Sequence, residues 1–405
     1  MDSASTPSDL ELLRRHAPRL SFDSLETLRP TRVDAYLAGS AVLDREEQLI
    51  ATSGAAIDSE RGQRDWMLNP LPDLGGGAKS GREELRSDAL LAKYEARQDP
   101  AAQGTCYGRV TRRSGAVFLQ YWFFYVDNPC VLAPGRHDGD WEFVQIRLTE
   151  REHQPTHITV AQHGAPETRR VSPDTLRPDI FVASSSHASY LSEGSQPRLP
   201  IADECDAARR PEKELVVELM PAAGWPYWHG RWGVDKGVGT WLAIALHWPR
   251  TPLYLRPLNR LGAGDSPPSP RWQHISWSAP LTFQTQGSAH RFTRVAWRGF
   301  LHRIGRLTAP RHPPDAHVER EQAGRISVHA RARGRLLRRT ARVTVAVEDA
   351  ATGRVLGVHT VAADGRARGV KLASAGAAVR WRAAGYNRLR QRGAVSEPAG
   401  VEGAT

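Results

Sequence analysis

The pattern of apolar and polar positions changes character twice along the chain. Residues 116–126 are almost all aromatic, aliphatic or β-branched, broken only by Gln120 and stopped by Asp127-Asn128-Pro129. Apolar side chains at both parities predict a central strand buried on both faces. Residues 140–148 alternate instead: Val144, Ile146 and Leu148 fall on one face, Gln145 and Arg147 on the other. That is the two-residue period of a strand. Residues 157–161, 180–184 and 214–219 read as three more short strands, each closed by turn-forming residues. A Trp-rich stretch follows at 221–280, with Trp225, Trp228 and Trp232 close together. Beyond Pro314 the alternation returns at 325–331, 340–348, 355–361 and 377–384, with turn signals at Ala351-Thr352-Gly353 and Asp364-Gly365.

Short strands between Pro/Gly loops predict an all-β protein: a β-sandwich main domain with long loops and few short helices, then a small C-terminal β-sandwich-like domain. The expected division is residues 1–15, an N-terminal segment with a short helix at 10–15; 16–305, the main domain; 306–320, a Pro-rich linker; 321–393, a small basic β-domain; and 394–405, a disordered tail. Residues 16–22 read as extended and 51–105 as largely irregular, with a helical turn or two at 87–97. A further short helix is expected at 300–309.

Composition adds little to the fold but something to the partners. Hydrophobic residues make up 40% of the 405, enough for a packed core. No apolar run approaches the ~20 residues of a membrane-spanning helix. The N-terminus lacks a basic head followed by an apolar block, so no signal peptide is expected and the compartment reads as cytoplasmic, with peripheral membrane association open. Cys106, Cys130 and Cys205 are too few and too scattered for a disulfide framework or a zinc spacing. From Arg291 onward 23 basic residues face 8 acidic ones, a surplus of +15 against +11 for the whole chain. The basic character therefore belongs to the C-terminal part, where Arg331–Arg339 is densest. An anionic membrane surface is one reading of it, a solvated face the other; nucleic acid is not expected.

Candidate chemistry sits in His137-Asp138-Gly139-Asp140-Trp141-Glu142. Asp140 and Glu142, two apart on a strand, share the face of Val144 and Ile146. Carboxylates aimed into an apolar layer need protons, basic partners or a cation. His137 reaches the same point across Gly139, and Asp127 ends the preceding strand. Three carboxylates and an imidazole make a hard, oxygen-rich donor set that suits Ca²⁺, Mg²⁺ or Mn²⁺ better than Zn²⁺. The alternative is an ion-pair network using Arg109, Arg136 or Arg147. His163, His187 and Trp141 are candidates for supporting the site or touching a ligand. Ser184–Ser186 beside His187 shows no nucleophile elbow and is not read as catalytic. The Trp225–Gly233 stretch reads either as a stacking surface for sugars or lipid headgroups, or as a loop packed by its own aromatics.

The order YWFFYVDN, HDGDWEFVQIRL, VAQHG, FVASSSHASY and GRWG, preceded by HAPRLSF, resembles the vacuolar protein sorting-associated protein 62 family over about residues 16–280. More distantly it is similar to the necrosis- and ethylene-inducing-peptide-like toxins. These are β-sandwiches whose GHRHDWE heptapeptide holds a divalent cation and which bind sphingolipid headgroups. That similarity implies cation-ligand positions at His137, Asp140 and Glu142, an equivalent of the strand-ending aspartate at Asp127, and a His-Gly pair at His163-Gly164. Asp138-Gly139 stand where the toxins carry basic and histidine residues. Three functions are then expected to compete. The first is a metal-dependent binding module for a lipid headgroup or glycan at a membrane or envelope surface. The second is a metal-dependent hydrolase, and the third a structural protein whose site only pins strands together. The first leads, and catalysis is not the favoured expectation.

Overall fold

The computed structural model describes residues 7–26, 28–44, 46–57, 66–70, 104–128, 137–162, 166–197, 202–205, 214–234, 266–273, 277, 310, 313–321, 325–335, 338–351, 355–371, 378–387 and 392–401. Strands dominate, as the alternation requires. The chain divides into two compact units. The first is Met1–Leu20, Leu28–Leu191 and Arg210–Gln286; the second is Ser21–Thr27, Ser192–Arg209 and Gly287–Thr405.

The first unit is organised by a six-stranded sheet. Its strands are β1 (Thr105–Arg113), β2 (Ala116–Asn128), β3 (His137–Thr149), β4 (Pro155–Val160), β5 (Glu167–Arg170) and, further along, β8 (Val216–Leu219). Two more short strands, β6 (Asp179–Val182) and β7 (Ser189–Tyr190), pair with each other. The sheet order is β8-β1-β2-β3-β4-β5, with β8 parallel to β1 and the other pairs antiparallel. All thirteen residues of β2 are buried, so the strand read as two-faced is the centre of the sheet. Strand β1 was not anticipated, because its outer half, Arg109–Arg113, is polar and basic. The β1–β2 hairpin turns on Ser114 and Gly115, at φ 51° and 68°. Two successive positive φ values are what a two-residue hairpin of right-handed twist demands.

Helix α1 (Asp9–Arg15) starts on a capping box between Ser8 and Glu11 and buries Leu12 and Leu13. Gly108 on β1 makes room for it: a Cβ there would meet Leu13 Cδ1 at 2.6 Å. The Tyr121 hydroxyl donates to the Leu13 carbonyl at 2.9 Å, answering one of the acceptors a helix end leaves open.

The second unit holds a sandwich of its own. One sheet joins β9 (Asp315–Glu321), β10 (Arg325–Arg331) and β13 (Asp364–Lys371). The other joins β11 (Thr340–Asp349), β12 (Val355–Ala362), β14 (Val379–Asn387), β15 (Arg392–Val395) and β16 (Ala399–Gly400). Val318, Ile326 and Val328 of the first sheet pack on Val343, Val345, Val347 and Trp381 of the second. Residues 394–401 were expected to be disordered; instead they carry the end of β15 and all of β16, and the Ser396 hydroxyl accepts from Ala383 N at 2.9 Å. Small polar residues suffice there because an edge strand needs backbone pairing more than side-chain burial. Strands β9 and β13 were not expected either: β9 follows directly on Pro313 and Pro314 and falls within the expected linker, and Gly and Arg interrupt the alternation of β13. The expected helices at 87–97 and 300–309 lie outside the described residues, as do 306–309, 311 and 312 of the expected 306–320 linker; its last six residues are not linker but belong to β9.

An acidic rim at one end of the central strands

The pairing of β2 with β3 sorts the side chains of the candidate motif onto two faces. Phe123 lies opposite Glu142, Tyr125 opposite Asp140, and Asp127 opposite Asp138. These residues share one face with Val144 and Ile146. Phe124 lies opposite Trp141 on the other. The result is an acidic patch at one end of a buried sheet: Asp127, Asp138, Asp140 and Glu142 are only 1%, 6%, 6% and 9% exposed. Successive carboxylates on β3 stand about 7 Å apart and directly opposite ones are closer still. Asp138 has the parity of Asp140 but lies outside the strand expected at 140–148, which in fact begins three residues earlier, at His137.

Asp140 is the best-defined member. Its Oδ2 accepts from His187 Nδ1 at 2.9 Å and from the Asn128 amide at 3.2 Å. A carboxylate oxygen only accepts, so Nδ1 carries the proton. His187 is fully buried and stacks on Tyr125 with ring centroids 4.0 Å apart and planes 2° from parallel. It reaches this position from the tight β6–β7 turn, where Ser185 and His187 both have positive φ and the Ser186 amide donates to Ser184 O at 2.8 Å. Tyr125 gives no signal in the sequence beyond its place on β2, and Asn128 reads there only as part of the stop that ends the strand.

His137 bonds locally, Nδ1 to the Gly139 carbonyl at 2.9 Å, and its Nε2 stands 3.9 Å from Asp140 Oδ1. His163 lies outside the described residues. Arg109, one alternative counter-charge, turns to the other face: it donates to Trp277 O at 2.7 Å and Gln120 Oε1 at 3.2 Å and lies over the Trp277 ring. Burial there depresses its pKa. Arg136 lies outside the described residues. Among the described residues, no three His, Cys, Asp or Glu side chains are grouped as a metal ion requires. The donors are of the right chemistry for a hard cation, but Asp140 Oδ2 and His137 Nδ1 are already engaged.

Trp141 points away from the carboxylates. It stacks on Trp225 at 5.2 Å and meets Trp232 edge-on at 5.2 Å and Phe124 at 5.0 Å. Trp141 thus lies in an aromatic layer behind the carboxylates, as its odd parity on β3 dictates. Trp228 and Trp232 are buried in the same layer, so this part of the Trp-rich stretch is a packed loop. The loop also holds the acidic strand from behind. Gly139 has φ 59°, and a Cβ on it would fall on the Trp232 carbonyl; a Cβ on Gly233 would fall on Asp138 and Ser266. The two Gly-containing motifs are thus spaced for backbone against backbone.

No protein-family model matches the chain, and no curated protein does. Similar solved structures include NLPPya in complex with mannosamine, 13% identical over 54% of this chain and 81% of that one, with a TM-score of 0.28. Another is Necrosis and Ethylene inducing Protein 2 from the causal agent of cocoa's Witches Broom disease, 14% identical over 60% and 96%, TM-score 0.29. A third is the non-toxic HaNLP3 protein, 13% identical over 54% and 79%, TM-score 0.27. These matches correspond to the more distant of the two resemblances and lend nothing to the vacuolar protein sorting-associated protein 62 family. At such identities and scores the fold assignment rests on the strands and sheets themselves.

Proposed function

We propose that the protein is a binding module whose acidic rim takes up a divalent cation and, with it, a sugar-bearing or anionic headgroup at a membrane or envelope surface. The observation that carries this reading is the concentration of Asp127, Asp138, Asp140 and Glu142 on adjacent, buried register positions of two central strands. Ionised carboxylates so placed repel one another and are poorly solvated, and a cation relieves both costs. Oxygen donors favour Ca²⁺, Mg²⁺ or Mn²⁺. We assign Asp127, His137, Asp140 and Glu142 as the residues that hold it, and His187 as the group that orients Asp140. Membership of the vacuolar protein sorting-associated protein 62 family remains our reading of the motif order.

A second reading has its own support. Asp140 Oδ2 is already held by His187 and Asn128, as it would be in a purely structural knot. A headgroup screen separates the two: immobilised amino sugars, neutral glycans and lipid headgroups, each probed with and without EDTA. The binding module retains a ligand that EDTA releases and that Glu142→Gln no longer holds. Retention of nothing, in any of Ca²⁺, Mg²⁺ or Mn²⁺, leaves the structural reading standing.

A further inference from the structure

The second unit concentrates arginine at one end of its sandwich. Strand β10 ends at Arg331, opposite Asp315 on one side and Asp364 on the other. The segment that follows is tightly folded: Thr340 N donates to Arg333 O at 2.8 Å, and Arg338 N donates to Arg335 O at 3.1 Å. Gly334, at φ 91°, permits the turn, and a Cβ there would meet Arg338 O at 2.7 Å. The β12–β13 turn comes to the same end. Ala363 N donates to Ala341 O at 3.0 Å, and a Cβ on Gly365 would lie 3.7 Å from Arg331 Cγ. Arg331, Arg333, Arg335, Arg339 and Arg366 are exposed here and Arg368 half-exposed. The acids in their midst are Asp315 and Asp364, and Asp364 is bonded to Arg368 at 2.8 Å.

We propose that this arginine rim is a docking surface for an anionic lipid bilayer. Its guanidiniums are displayed by the loop after β10 and by the paired ends of β10 and β13, so little backbone freedom is lost when they meet a charged plane. Guanidinium forks match phosphate oxygens in pairs. A nucleic acid is the less suitable occupant: single strands are held by stacking on exposed aromatics and duplexes by a helix or ribbon entering a groove, and the described residues of the rim offer neither. The surface is independent of the acidic rim in the first unit and stands or falls without it.

The test is co-sedimentation of the full chain with phosphatidylcholine vesicles, with and without phosphatidylserine, in EDTA so that any cation-dependent binding is silent. Each basic residue near an anionic membrane contributes roughly a fivefold gain in association. Arg333→Gln, Arg335→Gln and Arg366→Gln together should therefore weaken binding to phosphatidylserine vesicles about 100-fold at low salt, with less binding in all proteins as salt rises. Arg325→Gln, at the far end of β10 opposite Glu321 and Lys371, should bind as wild type. A thermal melt confirms that the triple variant is folded; the substituted side chains are exposed. Equal binding to vesicles lacking phosphatidylserine overturns the proposal. So does a folded triple variant that binds undiminished, or tighter retention of duplex DNA than of the anionic vesicles.

Discussion

Replacing Gly139 by alanine should destabilise the first unit by about 3 kcal/mol, and the figure can be worked from two separate costs. The residue sits at φ 59°. An L side chain in that region costs ~1 kcal/mol or somewhat more. The added Cβ also falls on the Trp232 carbonyl and 2.9 Å from the Trp232 Cβ. Trp232 cannot easily retreat: its amide donates to Pro267 O at 2.9 Å, its indole to Ser269 Oγ at 2.8 Å, and its carbonyl accepts from the Tyr36 hydroxyl. Overpacking against so fixed a neighbour adds ~1–3 kcal/mol. Gly115 is the control. It has φ 68°, but a Cβ there would find only Glu150 Oε2, at 3.7 Å. Gly115→Ala should therefore cost ~1 kcal/mol, the backbone share alone. Urea unfolding followed by near-ultraviolet circular dichroism, dominated by the tryptophan layer, measures both. Equal midpoints for the two variants would refute the claim that the Trp-rich loop is packed backbone-to-backbone on the acidic strand.

Two further outcomes follow from single residues. His16 is fully buried at the end of α1, with Nδ1 bonded to the Leu176 carbonyl at 3.1 Å. Burial, together with Arg15 and His153 nearby, depresses its pKa. The unfolded chain then takes up a proton that the folded chain resists, so stability is lost as pH falls below about 6.5, by at most ~1.4 kcal/mol per pH unit for this one group. Melts from pH 7 to 5 should show His16→Gln losing less stability than wild type; parallel curves contradict it. In the second unit Glu348 is fully buried between Arg380 Nε at 2.9 Å and Arg382 Nε at 3.4 Å. Glu348→Ala leaves two guanidiniums facing each other and should cost about 2–3 kcal/mol, discounted because Arg380 is partly solvated; a cost below ~1 kcal/mol in urea unfolding contradicts the pairing.

The parts of this structure that show in the sequence are those where side-chain burial alone decides the backbone. Strand β2 is apolar at both parities because it is covered on both faces, and β3 alternates toward its far end, where Ile146 and Leu148 are buried while Arg147 and Thr149 are half-buried. What was hidden depends on pairing between distant segments. Arg109–Arg113 look like loop until β2 supplies their ladder partners. Asp364–Lys371 look like a turn until β10 does. That Leu25 packs on Ala346, Ala384 and Tyr386, and that Ser192–Arg209 falls with the C-terminal half, has no local signature. The acidic rim is half legible: the parity of Asp140 and Glu142 is plain in the sequence, but nothing in it singles out Asp138 or Asn128. His187 lies 47 residues from Asp140, and only a turn with two positive φ values brings its ring onto Tyr125.

The central claim is that buried carboxylates at the end of β2 and β3 are balanced by an inorganic cation, and thermal melting of the chelated protein across a titration of Ca²⁺, Mg²⁺ and Mn²⁺ tests it most directly. The account predicts that one of these ions stabilises wild type by about 2.7 kcal/mol once its concentration is 100 times the dissociation constant, and that the effect disappears in Glu142→Gln while that variant stays folded. Protein that purifies without metal and melts at one temperature in EDTA and in every ion contradicts it.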